Sequence, residues 1–177
     1  MSTLKIAVND ADHTQGSASA ACTLVEYGDY ECPHCRVAQP LVKRLEHHFG
    51  DRLLFVFRNF PLTQIHPYAQ PAAETAEFAS AHGKFWEMYD LLFKEQDRLS
   101  DELFPELAGT LELDSEALLQ ALSDGSFTDR VRADFTGGVR SGVNGTPTFF
   151  INGERHNGPA DYDHLVKAIE AALATVA

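Results

Sequence analysis

Two cysteines separated by only two residues lie where a predicted strand gives way to a predicted helix. The motif Cys32-Pro33-His34-Cys35 follows a β-forming run at residues 23–27 and precedes a helical pattern over residues 36–49. A helix that begins at this point places both sulfurs in its first turn, within reach of each other. The pair therefore constrains the chain to a strand, turn and helix built around two thiols.

The position of each motif residue in the helix predicts its role. With Cys32 as the N-cap, Pro33 falls at the first helical position, where its missing N–H leaves nothing unsatisfied. We expect Cys32 to be exposed and to face the positive helix end, and Cys35 to be more buried. This arrangement suits Cys32 for nucleophilic attack and Cys35 for resolving a mixed disulfide.

A strongly lowered pKa of Cys32 would need more stabilisation of the thiolate than the helix dipole provides. Lowering a thiol pKa from roughly 8.5 by about three units stabilises the thiolate by ~4 kcal/mol, more than the ~0.3–2 kcal/mol that a helix dipole supplies. Backbone N–H groups of the first turn and a charged His34 are predicted to supply the rest. A stabilised thiolate makes the disulfide a better oxidant, so His34 should tune that property.

The remaining periodicity predicts an α/β chain. Residues 4–8 suit a short edge strand, and residues 53–57 suit a strand covered on both faces, parallel to the strand at 23–27. A further strand at 148–151 is followed by the hairpin signal Asn152-Gly153 and a returning strand at 154–156. A final helix follows, with Asp161 near its N-cap.

The middle of the chain is predicted to be helical. The candidate helices cover residues 72–82, 84–95, 101–108, 115–122 and 127–139, and Ser100 and Asp114 are the candidate N-caps. Linker-type residues are not enriched anywhere in this stretch. We therefore predict one domain over residues 1–177, with a core at about 22–62 and 143–177 and a helical insertion at about 63–142.

Charge and hydropathy exclude several classes of protein. The chain has 14 Lys+Arg against 26 Asp+Glu, a net charge of −12, which argues against nucleic acid and anionic membrane surfaces as partners. The longest apolar stretch, residues 53–57, is about a quarter of the ~20 residues that span a bilayer, so no membrane span is expected. No targeting segment is visible, which predicts a cytoplasmic location.

Other uses of the cysteines are less favoured. A Cys-x-x-Cys pair is also half of a zinc site, but structural zinc needs four ligands and no second pair stands at ligand spacing. We expect no metal and no cofactor beyond the dithiol. Cys22 is predicted to be a small packing residue near the start of a strand, with a third redox thiol as the alternative.

From residue 23 onward, the chain resembles the DsbA-like thiol-disulfide oxidoreductases of the thioredoxin superfamily. The resemblance rests on the Pro-His dipeptide between the cysteines, on Pro40 in the same helix, on the helical insertion, and on Gly145-Thr146-Pro147-Thr148 before a strand. It implies a thioredoxin fold with an all-helical insertion, in the order βαβ, helical insert, ββα.

The resemblance also implies roles for two prolines and their neighbours. In this family the proline that corresponds to Pro147 is cis and lies against the disulfide, and the preceding backbone, here Gly145 and Thr146, pairs with the substrate chain. An ordinary trans proline that opens an edge strand is the alternative. Pro40 should kink its helix, or else separate two short helices.

Glu26 is the remaining candidate site residue. It lies inside the predicted strand at 23–27, where an ionised carboxylate is costly if the strand is central. A raised pKa would suit proton exchange with Cys35. DsbA-like proteins likewise place an acidic residue six positions before the first cysteine. The alternative is a partly exposed strand end.

Together these features predict a thiol-disulfide oxidoreductase that exchanges disulfides with protein or peptide thiols. One alternative is a glutathione-linked transferase or isomerase, with glutathione as partner, although such enzymes usually carry serine at the place of Cys32. Another is a non-catalytic interaction module. The direction of electron flow stays open, because a Cys-Pro-His-Cys pair suggests an oxidant whereas a cytosolic glutathione pool would keep it reduced.

Overall fold

The computed structural model describes residues 2–176, and within them one mixed sheet of five strands organises the fold. The strands lie in the order β1-β3-β2-β4-β5. β2 and β3 run parallel, and the other neighbouring pairs are antiparallel. The strands are β1 His13–Gly16, β2 Cys22–Gly28, β3 Leu53–Asn59, β4 Thr148–Ile151 and β5 Glu154–Arg155.

Seven α-helices surround this sheet in the described part of the chain. α1 joins β2 to β3 as the crossover of a βαβ unit, and α2 to α6 all lie between β3 and β4, inside the predicted insertion. The α/β prediction of a thioredoxin fold with a helical insertion is confirmed. The helices are α1 Pro33–Phe49, α2 Ala69–Ser80, α3 Phe85–Lys94, α4 Leu103–Thr110, α5 Ser115–Asp124, α6 Thr128–Arg140 and α7 Tyr162–Val176.

The central strands bury side chains on both faces of the sheet. Successive side chains of a strand point to opposite faces, so Leu24 joins the larger core while Val25 and Tyr27 join the smaller one. β3 divides in the same way, with Phe57 in the larger core and Val56 in the smaller. The expectation of a strand covered on both faces is therefore confirmed for β3.

The N-terminal segment differs from its prediction. Residues 4–8 form no strand, and the edge strand is β1, which pairs with β3. The carbonyl oxygens of Ile6 and Ala7 instead accept hydrogen bonds of 2.8 and 3.2 Å from the guanidinium of Arg58, a residue that is 2% exposed. The same guanidinium donates to both carboxylate oxygens of Asp12, at 2.7 and 2.8 Å. The Arg58 guanidinium thus occupies backbone carbonyl oxygens that would otherwise accept hydrogen bonds from a neighbouring strand.

Of the two N-caps predicted in the insertion, Asp114 is confirmed and Ser100 is not. Asp114 caps α5 as predicted, because its carboxylate accepts from the backbone N–H groups of Glu116 and Ala117 at 3.0 Å. The prediction of Ser100 as an N-cap is wrong. α4 begins only at Leu103, and Ser100 contributes its backbone carbonyl, which accepts from the Leu103 N–H at 3.1 Å.

Two backbone predictions concern a helix interior and a turn. α1 runs continuously through Pro40, so the alternative of two short helices is wrong. Asn152 and Gly153 adopt φ values of 47° and 83°, the left-handed conformations that a tight hairpin of this type requires. The hairpin joins β4 to β5 and so ends the sheet.

Candidate active site

The two motif cysteines lie at the N-terminus of α1, directly after the central strand β2. Cys32 is the N-cap, and Pro33 occupies the first turn. The carbonyl of Cys32 accepts from the N–H groups of Cys35 and Arg36, at 3.1 and 3.2 Å, which closes the first helical turn. Both sulfurs are free thiols, so the structure represents the dithiol form.

The expectation that Cys32 is exposed is wrong. Cys32 is 4% exposed and Cys35 is 0% exposed, whereas the intervening Pro33 and His34 face solvent. The loop before β4 covers the first sulfur, since the Cys32 thiol donates to the carbonyl oxygen of Thr146 at 3.4 Å. The Cys32 sulfur is therefore sheltered by the backbone of this loop.

Hydrogen bonds lower the pKa of the Cys32 thiol to about 5. The largest contribution is a hydrogen bond from the Cys35 thiol, and burial opposes it. The Thr146 hydroxyl and the backbone N–H groups of Cys35 and His34 add further stabilisation. The first-turn N–H groups thus act as predicted, whereas an effect of a charged His34 imidazole stays a prediction.

Cys35 behaves in the opposite way. Its burial, its hydrogen bond to Cys32 and the charges of Glu26 and Cys32 all raise its pKa well above the usual range. The backbone N–H of Asp29, which donates to the Cys35 sulfur at 3.4 Å, acts in the other direction. At neutral pH the pair therefore consists of a Cys32 thiolate and a protonated Cys35.

Glu26 is buried in the centre of the sheet. It is 1% exposed and lies in β2 between Phe57 of β3 and Phe149 of β4, so the alternative of a partly exposed strand end is wrong. Burial, and then the negative charge of Cys32, raise the pKa of its carboxyl to about 8. Among the described residues neither carboxyl oxygen has a hydrogen-bond partner. This carboxyl is consequently protonated at neutral pH and able to exchange its proton.

The glycine two residues later provides space for this carboxyl. A Cβ added to Gly28 would lie 2.4 Å from the Phe57 ring and 3.1 Å from Oε1 of Glu26. Distances this short would force the ring or the carboxyl to move. Gly28 thus leaves room for Glu26 beside the end of β2.

The loop before β4 brings the C-terminal half of the chain to the thiols. β4 pairs antiparallel with β2, with Tyr27 opposite Thr148, so the loop that precedes it lies at the strand end that leads to Cys32. The Thr146–Pro147 peptide bond is cis. The hydroxyl of Thr148 donates to the carbonyl of Gly145 at 2.8 Å, which closes the loop on itself.

Two residues that hold the motif in place were missed from the sequence. The amide of Gln96, a buried residue of the insertion, donates to the carbonyls of Tyr30 and Cys32 at 2.7 and 3.0 Å. Asp29, interpreted only as a turn residue, is 1% exposed, and its carboxylate accepts from the ring of His66 at 2.8 Å. No spacing in the sequence indicates either contact, because each partner lies in a distant segment.

The third cysteine lies apart from this pair. Cys22 begins β2 opposite Leu53, is 0% exposed, and has its pKa raised to about 11 by burial. These features agree with the predicted packing role. Over residues 2–176 the structure contains no group of three or more His, Cys, Asp or Glu side chains arranged to hold a metal ion.

Comparison with known families fits this geometry. A family model described as thioredoxin matches residues 8–171. The chain belongs to the thioredoxin family. BdbD from Bacillus subtilis, in its oxidised form, superposes with a TM-score of 0.86 at 25% identity, covering 98% of each chain. Alpha-DsbA1 from Wolbachia pipientis gives a TM-score of 0.82 at 21% identity, covering 98% of this chain and 96% of its own. The fold is therefore that of DsbA-like members of the thioredoxin family.

Curated sequence relatives are much longer proteins. Residues of this chain are 43% identical over 94% of its length to Na(+)/H(+) antiporter NhaA 3 from Salinispora tropica, and 44% identical over 93% to NhaA 1 from Salinispora arenicola. In both cases the match covers 25% of the relative. This thioredoxin-family chain thus spans about a quarter of the length of those relatives. None of its described helices is both long enough and apolar enough to cross a membrane.

Proposed function

We propose that this thioredoxin-family chain is a thiol-disulfide oxidoreductase that exchanges disulfides with protein or peptide substrates through Cys32 and Cys35. One observation carries the proposal. Two adjacent thiols at a helix N-terminus have pKa values displaced in opposite directions, with Cys32 at about 5 and Cys35 well above its usual range. Such a pair contains one thiolate that can attack a disulfide and one protonated thiol that can attack later.

In the reducing direction the reaction has two exchange steps. The Cys32 thiolate attacks one sulfur of the substrate disulfide, forms a mixed disulfide and releases the other substrate sulfur as a thiolate. Cys35 then loses its proton and attacks the Cys32 sulfur, which forms the Cys32–Cys35 disulfide and releases the second substrate thiolate. The substrate gains two electrons and the dithiol loses them. The oxidising direction is the reverse of these steps.

Glu26 is proposed as the group that exchanges the proton of Cys35. Its charge is one of the causes that raise the pKa of Cys35, and its own pKa of about 8 lies close to neutral pH. Because this pKa is close to neutral, the ionised carboxylate is accessible at a small cost in free energy. It accepts the proton that Cys35 loses on attack, and the resulting neutral acid returns a proton in the reverse step. Cys35 is 0% exposed and Glu26 is 1% exposed, so an internal group suits this proton transfer better than bulk water.

The loop of Gly145, Thr146 and Pro147 is proposed to bind the substrate backbone. The Thr146 carbonyl oxygen lies 3.4 Å from the Cys32 sulfur, so a peptide that reaches this sulfur lies beside the Thr146 backbone. Pro147 has no N–H and therefore makes no competing donor contact. His34 and Pro33, both exposed beside the thiols, complete the surface that a substrate would contact.

The proposal assigns thiol exchange alone to this chain. The comparisons give no support to glutathione as a partner. The antiporter name belongs to the longer relatives, of which this chain matches about a quarter.

Reduction of insulin by a dithiol, followed by turbidity, tests the proposal directly. We expect the parent chain to accelerate turbidity and Cys32→Ser to abolish the acceleration, because the serine hydroxyl does not ionise near neutral pH. Cys22→Ser is the matched control and should retain full activity. Equal rates for the parent chain and Cys32→Ser would leave a non-catalytic interaction module as the better description.

Trapping tests the division of labour between the thiols. Cys35→Ala should accumulate mixed disulfides with cellular proteins on Cys32, since no thiol remains to resolve them. Non-reducing electrophoresis followed by reduction would reveal them. Extracts in which Cys35→Ala traps no more protein than Cys32→Ser would contradict the role of Cys35.

The direction of electron flow is decided by a reduction potential. For this two-electron couple, ~30 mV changes the equilibrium constant about tenfold. Equilibration of the chain with glutathione buffers measures the potential. A value well above that of the cytosolic pool would show that the protein is mostly reduced in the predicted cytoplasmic location and that it reduces disulfides there. The cytoplasmic location itself stays a prediction.

A further inference from the structure

Asp29 connects three parts of the site. Its backbone carbonyl accepts from the N–H of Cys32 at 3.1 Å, and its backbone N–H donates to the sulfur of Cys35 at 3.4 Å. The main chain of this one residue therefore contacts both cysteines. Its carboxylate side chain is 0% exposed.

Three donors hold that carboxylate. One oxygen accepts from the N–H of Glu31 at 2.8 Å, and the other accepts from the N–H of Leu62 at 2.9 Å and from Nδ1 of His66 at 2.8 Å. Leu62 and His66 lie in the loop between β3 and α2 and are themselves joined, since the Leu62 carbonyl accepts from the His66 N–H at 2.9 Å. The side chain of Asp29 is thus anchored to a second loop.

We propose that Asp29 is a positioning residue for the resolving step and that His66 holds it in place. This inference rests on the proposed function, in which Cys35 is the resolving thiol. Anchoring the Asp29 carboxylate fixes the orientation of its peptide group, which keeps its N–H directed at the Cys35 sulfur. That hydrogen bond strengthens when the sulfur becomes a thiolate. Among the described residues, Asp29 is the residue whose backbone N–H meets the Cys35 sulfur.

The two exchange steps should respond differently to loss of the Asp29 anchor. The groups that stabilise the Cys32 thiolate are the Cys35 thiol, the Thr146 hydroxyl and the N–H groups of the first helical turn, and Asp29 is not among them. Loss of the Asp29 anchor should therefore slow attack by Cys35 on the mixed disulfide and leave attack by Cys32 on the substrate nearly unchanged. A general loss of structure would slow both steps together.

Rapid mixing of the reduced full-length chain with dithionitrobenzoate, an aromatic disulfide that releases a coloured thiolate, measures both steps. All proteins carry Cys22→Ala so that only the motif thiols react. Attack by Cys32 releases one coloured thiolate at a rate proportional to reagent concentration. Attack by Cys35 then releases a second one at a rate independent of that concentration.

Variants of His66 provide the decisive comparison, because this side chain is 16% exposed and its replacement disturbs the fold less than replacement of the fully buried Asp29. His66→Leu should slow the second phase at least about threefold and leave the first phase within about twofold of the parent. His66→Gln, whose amide donates to the same carboxylate, should restore most of the rate. Asp29→Ala removes all three acceptor contacts and should have a larger effect.

The exposed pair of Asp161 and His164 in another part of the chain supplies a matched control. Its Nδ1 to carboxylate distance is also 2.8 Å, so His164→Leu removes a similar bond and should change neither phase. Equal slowing of both phases in His66→Leu, or no change in either, would overturn the inference. A parent chain that releases only one coloured thiolate would instead overturn the role of Cys35, and the phase amplitudes distinguish these results.

Discussion

Cys32 and Thr146 are 114 residues apart in the chain, yet the Cys32 sulfur lies 3.4 Å from the Thr146 carbonyl oxygen. The antiparallel pairing of β2 with β4 creates this contact, because it places the loop before β4 at the end of β2. The reactive sulfur is consequently sheltered by backbone from the opposite end of the sequence.

Removal of the Thr146 hydroxyl should raise the pKa of the Cys32 thiol. In the dithiol form this buried hydroxyl has no hydrogen-bond partner among the described residues, so it is free to donate to the Cys32 thiolate, and it is one of the groups that lower the pKa of Cys32 to about 5. Thr146→Val should raise that pKa by about one to two units, since one hydrogen bond to a charged group contributes roughly 1.5–3 kcal/mol. The pH dependence of thiolate absorbance measures it. Thr146→Ser keeps the hydroxyl, and an equal rise in this variant would contradict the hydrogen-bond explanation.

The buried carboxyl of Glu26 should make stability fall with rising pH. Its pKa is about 8 in the folded chain and 4.5 in its ordinary state, so between these values the folded chain holds a proton that the unfolded chain has released. Raising the pH across this window therefore lowers the free energy of unfolding, by at most about 5 kcal/mol. Glu26→Gln should remove this contribution.

Urea unfolding of the reduced proteins at pH values below and above the window measures the Glu26 contribution. Glu26→Gln should exceed the parent in stability at the alkaline end and approach it at the acidic end. Glu87→Gln, a change at an exposed carboxylate of α3, is the control and should follow the parent. Parallel pH profiles for the parent and Glu26→Gln would contradict the assignment of a raised pKa.

The insertion should stabilise the motif through Gln96. Its amide donates to the carbonyls of Tyr30 and Cys32, so Gln96→Leu removes both bonds, although the Cys32 carbonyl keeps the N–H groups of Cys35 and Arg36 as donors. We expect a loss of about 2 kcal/mol in the free energy of unfolding, at about 1 kcal/mol for each bond. Gln120→Leu, on the exposed face of α5, supplies a control for the change in side-chain type. Urea midpoints that are the same for both variants would argue against this role.

The buried ion pair of Arg58 and Asp12 should stabilise the fold of the N-terminal segment. Both side chains are nearly inaccessible, at 2% and 3% exposed, so Arg58→Met leaves an uncompensated charge on Asp12. A loss of about 3–5 kcal/mol in unfolding free energy is expected. The double variant Arg58→Met/Asp12→Leu should lose less than the single one. If the double variant is instead less stable by the sum of the two single changes, the pair is not coupled.

Local patterns were sufficient for most of the scaffold. Alternating and continuous apolar runs predicted β2, β3 and β4, and helical spacing placed α1 to α7 within a few residues of their ends. These features depend on neighbours in the chain, and a sequence displays such neighbours directly. The prediction of an edge strand at residues 4–8 was wrong because a long-range contact, which local patterns do not display, decides the conformation of this segment. The fate of residues 4–8 depends on Arg58, about fifty positions away.

The sequence by itself determined that two thiols stand at the start of a helix, with a proline between them and an acidic residue on the preceding strand. Helix capping and strand periodicity are local, so they depend on these residues alone. Only the tertiary structure decided that Cys32 is sheltered, that Glu26 is fully buried and that Asp29, Gln96 and Thr146 hold the pair. Burial and long-range hydrogen bonds arise when distant segments pack together, and these contacts shift the pKa values on which the chemistry depends.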